Sequence, residues 1–169
     1  MSKIIQIADI HFGTENPRAL KAFKETCDAI EPDAFAVCGD LTQRGKRSEF
    51  SDSREWLDSF DLPKLVVAGN HDTPLLNLYE RVVSPFERYD DYFGDLSKPV
   101  VLDNAVLIGI NTSRGWQTRK NWAEGSVNLE DLEDAIATCG DLEGKMCFLI
   151  CHHPFLSPPD APLRTETRR

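Results

Sequence analysis

Short apolar segments alternate with amphipathic segments along most of this chain. Apolar runs at residues 3–8, 34–38 and 65–68 are each followed at once by a cluster of polar residues. Runs of this length that are rich in β-branched residues predict buried strands. In open α/β sheets, ligands bind beyond the carboxyl ends of the strands. The pattern therefore predicts a sheet whose strand ends carry the chemistry.

The segments between these runs have helical periodicity. Asn16 and Pro17 form an N-cap and first-turn pair, and apolar residues recur at helical spacing from Leu20 until Pro32 stops the pattern. A second helix is predicted from about Ser48 to Phe60. A third begins after the cap residue Asn128, with Asp131 placed to answer the cap and Gly140 to end the helix. Helices thus alternate with strands.

The remaining segments complete the pattern. Residues 73–95 are irregular and predict a short helix and a loop. Residues 100–102 and 106–110, separated by Asp103 and Asn104, predict a hairpin. Residues 146–150 predict another buried strand, which ends at His152 and His153. With no internal repeat and no obvious linker, residues 1–169 are expected to form a single layered α/β domain.

Composition narrows the function classes. The chain has 169 residues, 41% of them hydrophobic, which suffices for one core. Its net charge of −9 disfavours long nucleic acid as a partner, because such binding depends on cationic side chains. An acidic protein still binds phosphates where bound cations reverse the local charge.

The cysteines and the N-terminus indicate a cytoplasmic protein. Five cysteines, an odd number without a close pair, fit a reduced compartment. The N-terminal apolar run is broken by Gln6 and Asp9, so it is too short and too polar for a signal peptide or a membrane span. We therefore expect no contact with a membrane.

Metal-binding side chains collect in the polar clusters. All four histidines lie there, and the clusters also contain carboxylates and an amide. Mixed nitrogen and oxygen ligands suit borderline or hard divalent metals. The carboxylate of Asp40 has two oxygens and would be able to bridge two ions about 4 Å apart, as two-metal hydrolysis requires. The candidate ligands are Asp9, His11, Asp40, Asn70 and His152.

Four motifs occur in order, each at a predicted strand end. They are Asp9-x-His11, Gly39-Asp40 with Gly45, the run from Gly69 to Asp72, and His152-x-Pro154. Together they resemble those of the calcineurin-like metallophosphoesterase family, and particularly its bacterial branch that hydrolyses cyclic nucleotides or glycerophosphodiesters. The resemblance runs from Met1 to about Pro154. It implies an α/β/β/α fold, a β-sandwich flanked by helices.

The resemblance also implies roles for individual residues. Asp9 and His11 would hold one metal, Asp40 would bridge, and Asn70 with His152 would hold the second. His71 would act as an acid beside the substrate, and Asp72 would orient it. The implied cofactors are two divalent ions, manganese or iron before zinc. A metal-bound hydroxide would then attack a small phosphodiester or nucleotide, with diesters favoured over monoesters.

One family motif, Gly-His-x-His, does not occur in this sequence, in which no histidine follows His153. This predicts a C-terminally incomplete domain whose activity in the present form stays open. A competing class is a non-catalytic scaffold with the same fold. The presence of His71 and of every upstream ligand favours the enzyme. The sequence leaves the oligomeric state open.

Overall fold

The first of two sheets is parallel and carries three strands. In the computed structural model, which describes residues 1–116, 124–140 and 142–156, the strand order is β1-β2-β3. In register, Gln6 lies beside Ala36, and Ala36 lies beside Leu65. The strands are β1 (Ile4–Ile7), β2 (Ala34–Cys38) and β3 (Lys64–Val67). All three predicted strands are confirmed.

The second sheet is mixed and also has three strands. The strands are β4 (Val100–Val101), β5 (Ala105–Gly109) and β6 (Met146–Ile150). β4 and β5 pair antiparallel, which confirms the predicted hairpin, and β6 lies parallel to β5. Because β2 and β6 both end towards the same side of the molecule, loops from the two sheets meet there.

Five α-helices surround the sheets in the described part of the chain. They are α1 (Pro17–Ile30), α2 (Arg47–Asp58), α3 (Leu78–Val83), α4 (Glu87–Phe93) and α5 (Leu129–Ala137). The predicted caps are present: Asn16 Oδ1 accepts from the Arg18 amide at 3.0 Å, and Asn128 Oδ1 accepts from the Glu130 amide at 3.1 Å. Residues 73–95, predicted as one short helix and a loop, contain both α3 and α4.

The layers follow from the alternation of side chains along each strand. Outward-facing Phe35 and Val37 of β2 pack with Phe50 and Leu57 of α2. The inner face is built from small and branched residues, with Ala34, Ala36 and Leu65 packed against Leu107 of the second sheet. The far face of β5 packs beside Cys139, after α5. The predicted α/β/β/α sandwich is confirmed.

Strand β6 departs from its prediction. It was expected to be buried, yet Met146 is 62% exposed and Phe148 is 38% exposed. β6 pairs with β5 on one side, and within the described residues no strand pairs with its other side. The apolar run of five residues therefore predicts the strand correctly. It does not predict burial, because burial depends on which other elements pack against the strand.

Within the described residues, no helix has the length and apolar content that crossing a membrane requires.

Candidate metal centre

A cleft of about 410 Å³ lies where the ends of β1, β2, β3 and β6 converge. It is lined by every residue that the sequence proposed as a ligand and by the proposed acid: Asp9, His11, Asp40, Asn70, His71 and His152. Residues separated by more than one hundred positions thus share one space because the two sheets stack. Their roles as ligands and acid stay predictions.

The buried carboxylate of Asp40 lies between two groups of donors. Its Oδ2 is 3.7 Å from Nε2 of His11, whereas its Oδ1 is 3.5 Å from Nε2 of His152. On the first side, Asp9 Oδ1 lies 3.7 Å from the same His11 nitrogen. On the second side, Asn70 Oδ1 lies 3.2 Å from the same His152 nitrogen. The two oxygens of one carboxylate therefore face different donor sets.

The first donor set is compact enough for a single ion. Ligand atoms of Asp9, His11 and Asp40 all lie within 4.8 Å of one another. Two carboxylates and an imidazole would offset the charge of a divalent cation and suit a borderline or hard one. The residues present therefore fit a divalent metal at this position.

Backbone carbonyls fix the tautomer of three histidines. Nδ1 of His152 lies 2.8 Å from the Cys38 carbonyl, Nδ1 of His11 lies 3.2 Å from that of Thr42, and Nδ1 of His71 lies 2.9 Å from that of Gln43. A carbonyl oxygen only accepts, so each Nδ1 carries the hydrogen. The Nε2 lone pair of each neutral ring is then available to a metal or a proton. All three carbonyls belong to residues 38–43.

The ligand loops have a backbone that L-residues rarely adopt. The φ angles are +56° for Asp9, +50° for His11 and +53° for Asp40. These are three of the four non-glycine residues with positive φ in the described part of the chain. Such conformations cost energy and collect at functional sites. Hydrogen bonds between the loops retain them, such as that from the His11 amide to the Asp40 carbonyl at 3.0 Å.

Gly69 allows the loop after β3 to close around Asp40. A Cβ atom at position 69 would lie 2.1 Å from Asp40 Oδ1, a distance that no side chain tolerates. The same oxygen accepts a hydrogen bond from the His71 amide at 2.9 Å. The close approach of the Gly69 backbone and the bond from the His71 amide orient the carboxylate that faces both donor sets.

The carboxylate of Asp72 makes its hydrogen bonds to groups other than the ring of His71, and its role in orienting His71 stays a prediction. The hydrogen bond to His71 Nδ1 comes from the Gln43 carbonyl. Asp72 is fully buried, and its carboxylate accepts instead from the Gly69 amide at 2.8 Å and from the amide and hydroxyl of Thr42 at 2.9 and 3.0 Å. Asp72 thus joins the loops after β2 and β3.

The environment of Asp72 has opposing effects on its acidity. Burial raises the pKa of Asp72, and hydrogen bonds from the Gly69, Thr42 and Leu41 amides lower it. Burial is the larger effect, so the resulting pKa is about 6. These amides stabilise the ionised form, so the carboxylate acts as an acceptor for both loops.

Sequence reasoning missed a third buried acid, Glu49. Its Oε2 accepts from the Arg44 amide at 2.8 Å and from the Lys46 amide at 3.3 Å, which fixes the loop between β2 and α2. Glu49 lies three residues after Lys46, the N-cap of α2, which is the spacing of a capping box. This spacing is the sequence signal from which the role of Glu49 could be predicted, although lysine is an unusual N-cap residue for a capping box.

His153, Cys38 and Cys151 each make a hydrogen bond within the protein. His153 is buried, with Nδ1 2.9 Å from the hydroxyl of Thr112. Burial raises the pKa of the Cys38 thiol to about 11 and also raises the pKa of Cys151. Burial thus favours the protonated form of both thiols at neutral pH.

The sequence model of the calcineurin-like phosphoesterase family matches residues 2–161. The chain belongs to this family, which confirms the resemblance found in its motifs.

Two curated relatives are named as phosphodiesterases. A probable glycerophosphodiester phosphodiesterase of Arcobacter nitrofigilis is 24% identical over 164 residues, covering 89% of this chain and 56% of its own length. A probable cyclic nucleotide phosphodiesterase of Synechococcus sp. is 30% identical over 80 residues, covering 42% of this chain and 31% of its own length. The chain thus spans about half or less of the length of these relatives.

Solved structures support the fold independently. The crystal structure of TT1561 from Thermus thermophilus aligns with a TM-score of 0.59 over 98% of this chain and 72% of its own, at 12% identity. Likeness at this identity concerns the fold alone.

Proposed function

We propose that this chain forms the dinuclear metal centre of a phosphodiesterase. The observation that carries the proposal is the placement of Asp40, whose two oxygens lie within 3.7 Å of imidazole nitrogens on opposite sides. Asp9 and His11 would complete one position, and Asn70 with His152 the other. Each position then has three protein donors from this chain, and water or further donors would fill the rest.

The metals explain how an acidic protein acts on an anionic ester. Two divalent ions, manganese or iron before zinc, would supply Lewis acidity for the phosphoryl oxygens and lower the pKa of an attacking water. Asp9 and Asp40 supply the negative charge that retains such cations in a chain of net charge −9.

His71 is the proposed acid for the leaving group. It lines the cleft, and its ring centroid lies 4.8 Å from that of His11, so it faces the space next to the first donor set. Because Nδ1 is held by the Gln43 carbonyl, Nε2 is the nitrogen that exchanges a proton. As an acid, the ring would carry protons on both nitrogens; it would give its Nε2 proton to the departing ester oxygen, which would leave as an alcohol while the ring becomes neutral.

The proposed substrate is a small phosphodiester, such as a cyclic nucleotide or a glycerophosphodiester. Both named relatives are described as phosphodiesterases, and the cleft of about 410 Å³ is of the size that small ligands occupy. A reduced compartment such as the cytoplasm fits the five free thiols.

The test combines metal analysis with turnover. Protein loaded with manganese should hydrolyse bis(p-nitrophenyl) phosphate faster than p-nitrophenyl phosphate, and chelation should abolish hydrolysis. His71→Ala should keep the bound metal and lower turnover by roughly two to four orders of magnitude, the usual contribution of a general acid.

Two outcomes would overturn the proposal. Loss of metal in the His71→Ala variant would make His71 a ligand and leave the acid unassigned. Full metal binding without hydrolysis of either ester would favour a scaffold that retains the metal-binding fold.

A further inference from the structure

A second cavity, of about 470 Å³, lies between helix α1, helix α2 and the end of β1. Asp9 and His11 line both this cavity and the metal cleft, so the two spaces adjoin at the first donor set. We call this cavity the α1 pocket. A group attached to a phosphorus atom in the metal cleft would have to pass these two residues to enter the α1 pocket.

The α1 pocket is mostly apolar and has an aromatic wall. Ile7, Leu20, Phe23 and Trp56 contribute to it, each only partly buried. The ring centroids of Phe23 and Trp56 are 5.5 Å apart, and Trp56 lies edge-on against Phe60 at 5.2 Å. Rings held in this way are preformed surfaces against which another flat ring stacks with little loss of entropy.

The charge of the α1 pocket excludes a second anion. The charged side chains that line it, Asp9 and Glu15, are acidic, and no lysine or arginine is among its lining residues. Glu15, which is not a proposed metal ligand, would repel a phosphate or carboxylate group in the α1 pocket but not a neutral aromatic ring. Apolar walls with a few polar groups at the rim are typical of pockets for small ligands.

We propose that the α1 pocket binds the aromatic ester group of the substrate, a nucleobase in a nucleotide diester. This deepens the proposed function and rests on it. His71 lines the metal cleft but not the α1 pocket. Because the leaving group lies beside the acid, the α1 pocket receives the ester group that stays on phosphorus.

Binding is tested without turnover. A variant that keeps Trp56 as its one tryptophan, made by Trp116→Phe and Trp122→Phe, is titrated with adenosine in the presence of a chelator. We expect saturable quenching of the Trp56 emission, since a stacked base alters the indole environment. Choline chloride serves as the contrasting probe, and equal quenching by choline would overturn the proposal in favour of a site for cations.

Specificity is tested with two matched substitutions on α1. Ala19 lines the α1 pocket, whereas Ala22 does not, and both alanines are exposed helical residues. Ala19→Phe should fill the pocket, weaken adenosine binding about tenfold or more, and raise KM for bis(p-nitrophenyl) phosphate by a similar factor. In the same Ala19→Phe variant, KM for methyl p-nitrophenyl phosphate should change little, because its retained group is only a methyl. Ala22→Phe should change neither adenosine binding nor the KM of either diester.

The readouts separate failure of this inference from failure of the proposed function. One outcome is that the protein binds adenosine, Ala19→Phe abolishes this binding, and neither diester is hydrolysed. That outcome would support the α1 pocket and refute the proposed function. Hydrolysis with equal KM changes for the two diesters, and no quenching by adenosine, would refute the α1 pocket while the function stands.

Discussion

The two sheets of this protein contribute unequally to the site. All five residues of β2 are buried, whereas four of the five residues of β6 are exposed. Loops after β1, β2 and β3 carry four of the five candidate ligands, and β6 leads to one, His152. The first sheet therefore supplies most of the donors, and the exposed strand β6 of the second sheet leads to the residue that completes the second donor set.

What joins the two regions is the segment from Cys38 to Gln43. Its carbonyls hold Nδ1 of histidines from three different loops, including His152 from the second sheet at 2.8 Å. The orientation of His152 thus depends on the first sheet as well as on β6. Substitutions that destabilise the first sheet should therefore disrupt the site, whereas substitutions in β6 should have smaller effects on it.

The largest effect is expected at Asp72, which braces the first region. Asp72→Ala leaves the amides of Leu41, Thr42 and Gly69 buried without their acceptor. Each unsatisfied donor costs roughly 1–3 kcal/mol, so we expect a loss of about 4 kcal/mol or more in the free energy of unfolding. Urea denaturation measures it. Asp52→Ala, at an exposed position in α2, is the control, and equal losses in both variants would contradict the bracing role.

A matched leucine pair compares the sheets directly. Leu65 in β3 is fully buried between the sheets, whereas Leu149 in β6 is 37% exposed. Leu65→Ala should lower the free energy of unfolding by about 2–5 kcal/mol, because it leaves a cavity in a packed core. Leu149→Ala should cost about 1 kcal/mol or less, since solvent and relaxation fill the space. Calorimetry on both variants checks this, and equal costs would show that β6 is as well packed as β3.

A glycine pair separates steric closure from local backbone strain. Gly69→Ala places a Cβ against Asp40, so it should cost about 1–3 kcal/mol and displace the carboxylate. Gly144, before β6, has a φ of +75° and open space around its Cβ position. Gly144→Ala should cost about 1 kcal/mol through its backbone alone. Metal content should fall in the first variant and not in the second, and a fall in both would indicate general unfolding.

Much of this fold was predictable because short apolar runs and caps are local signals. Asn16 and Asn128 cap helices as expected, and each predicted strand is present. The position of the site followed from strand ends meeting at one edge. Burial of β6 was not predictable, because an apolar run specifies a strand but not its neighbours.

The internal supports of the site were harder to predict. The family resemblance implies that Asp72 orients His71, and it gives no sign that the carboxylate turns to the loop after β2. The carbonyls that orient the histidines carry no side-chain signal. Long-range hydrogen bonds to backbone atoms depend on the tertiary arrangement, which composition and periodicity do not encode.

Metal stoichiometry in three proteins tests the central claim that Asp40 serves both positions. The unaltered chain, Asp9→Ala and Asp40→Ala are equilibrated with manganese, desalted, and analysed by emission spectroscopy, with circular dichroism to verify that each is folded. Asp40→Ala should retain the least metal and lose both positions, because its carboxylate faces both donor sets. Asp9→Ala should lose mainly one position. Equal residual metal in the two folded variants would contradict the bridging role of Asp40.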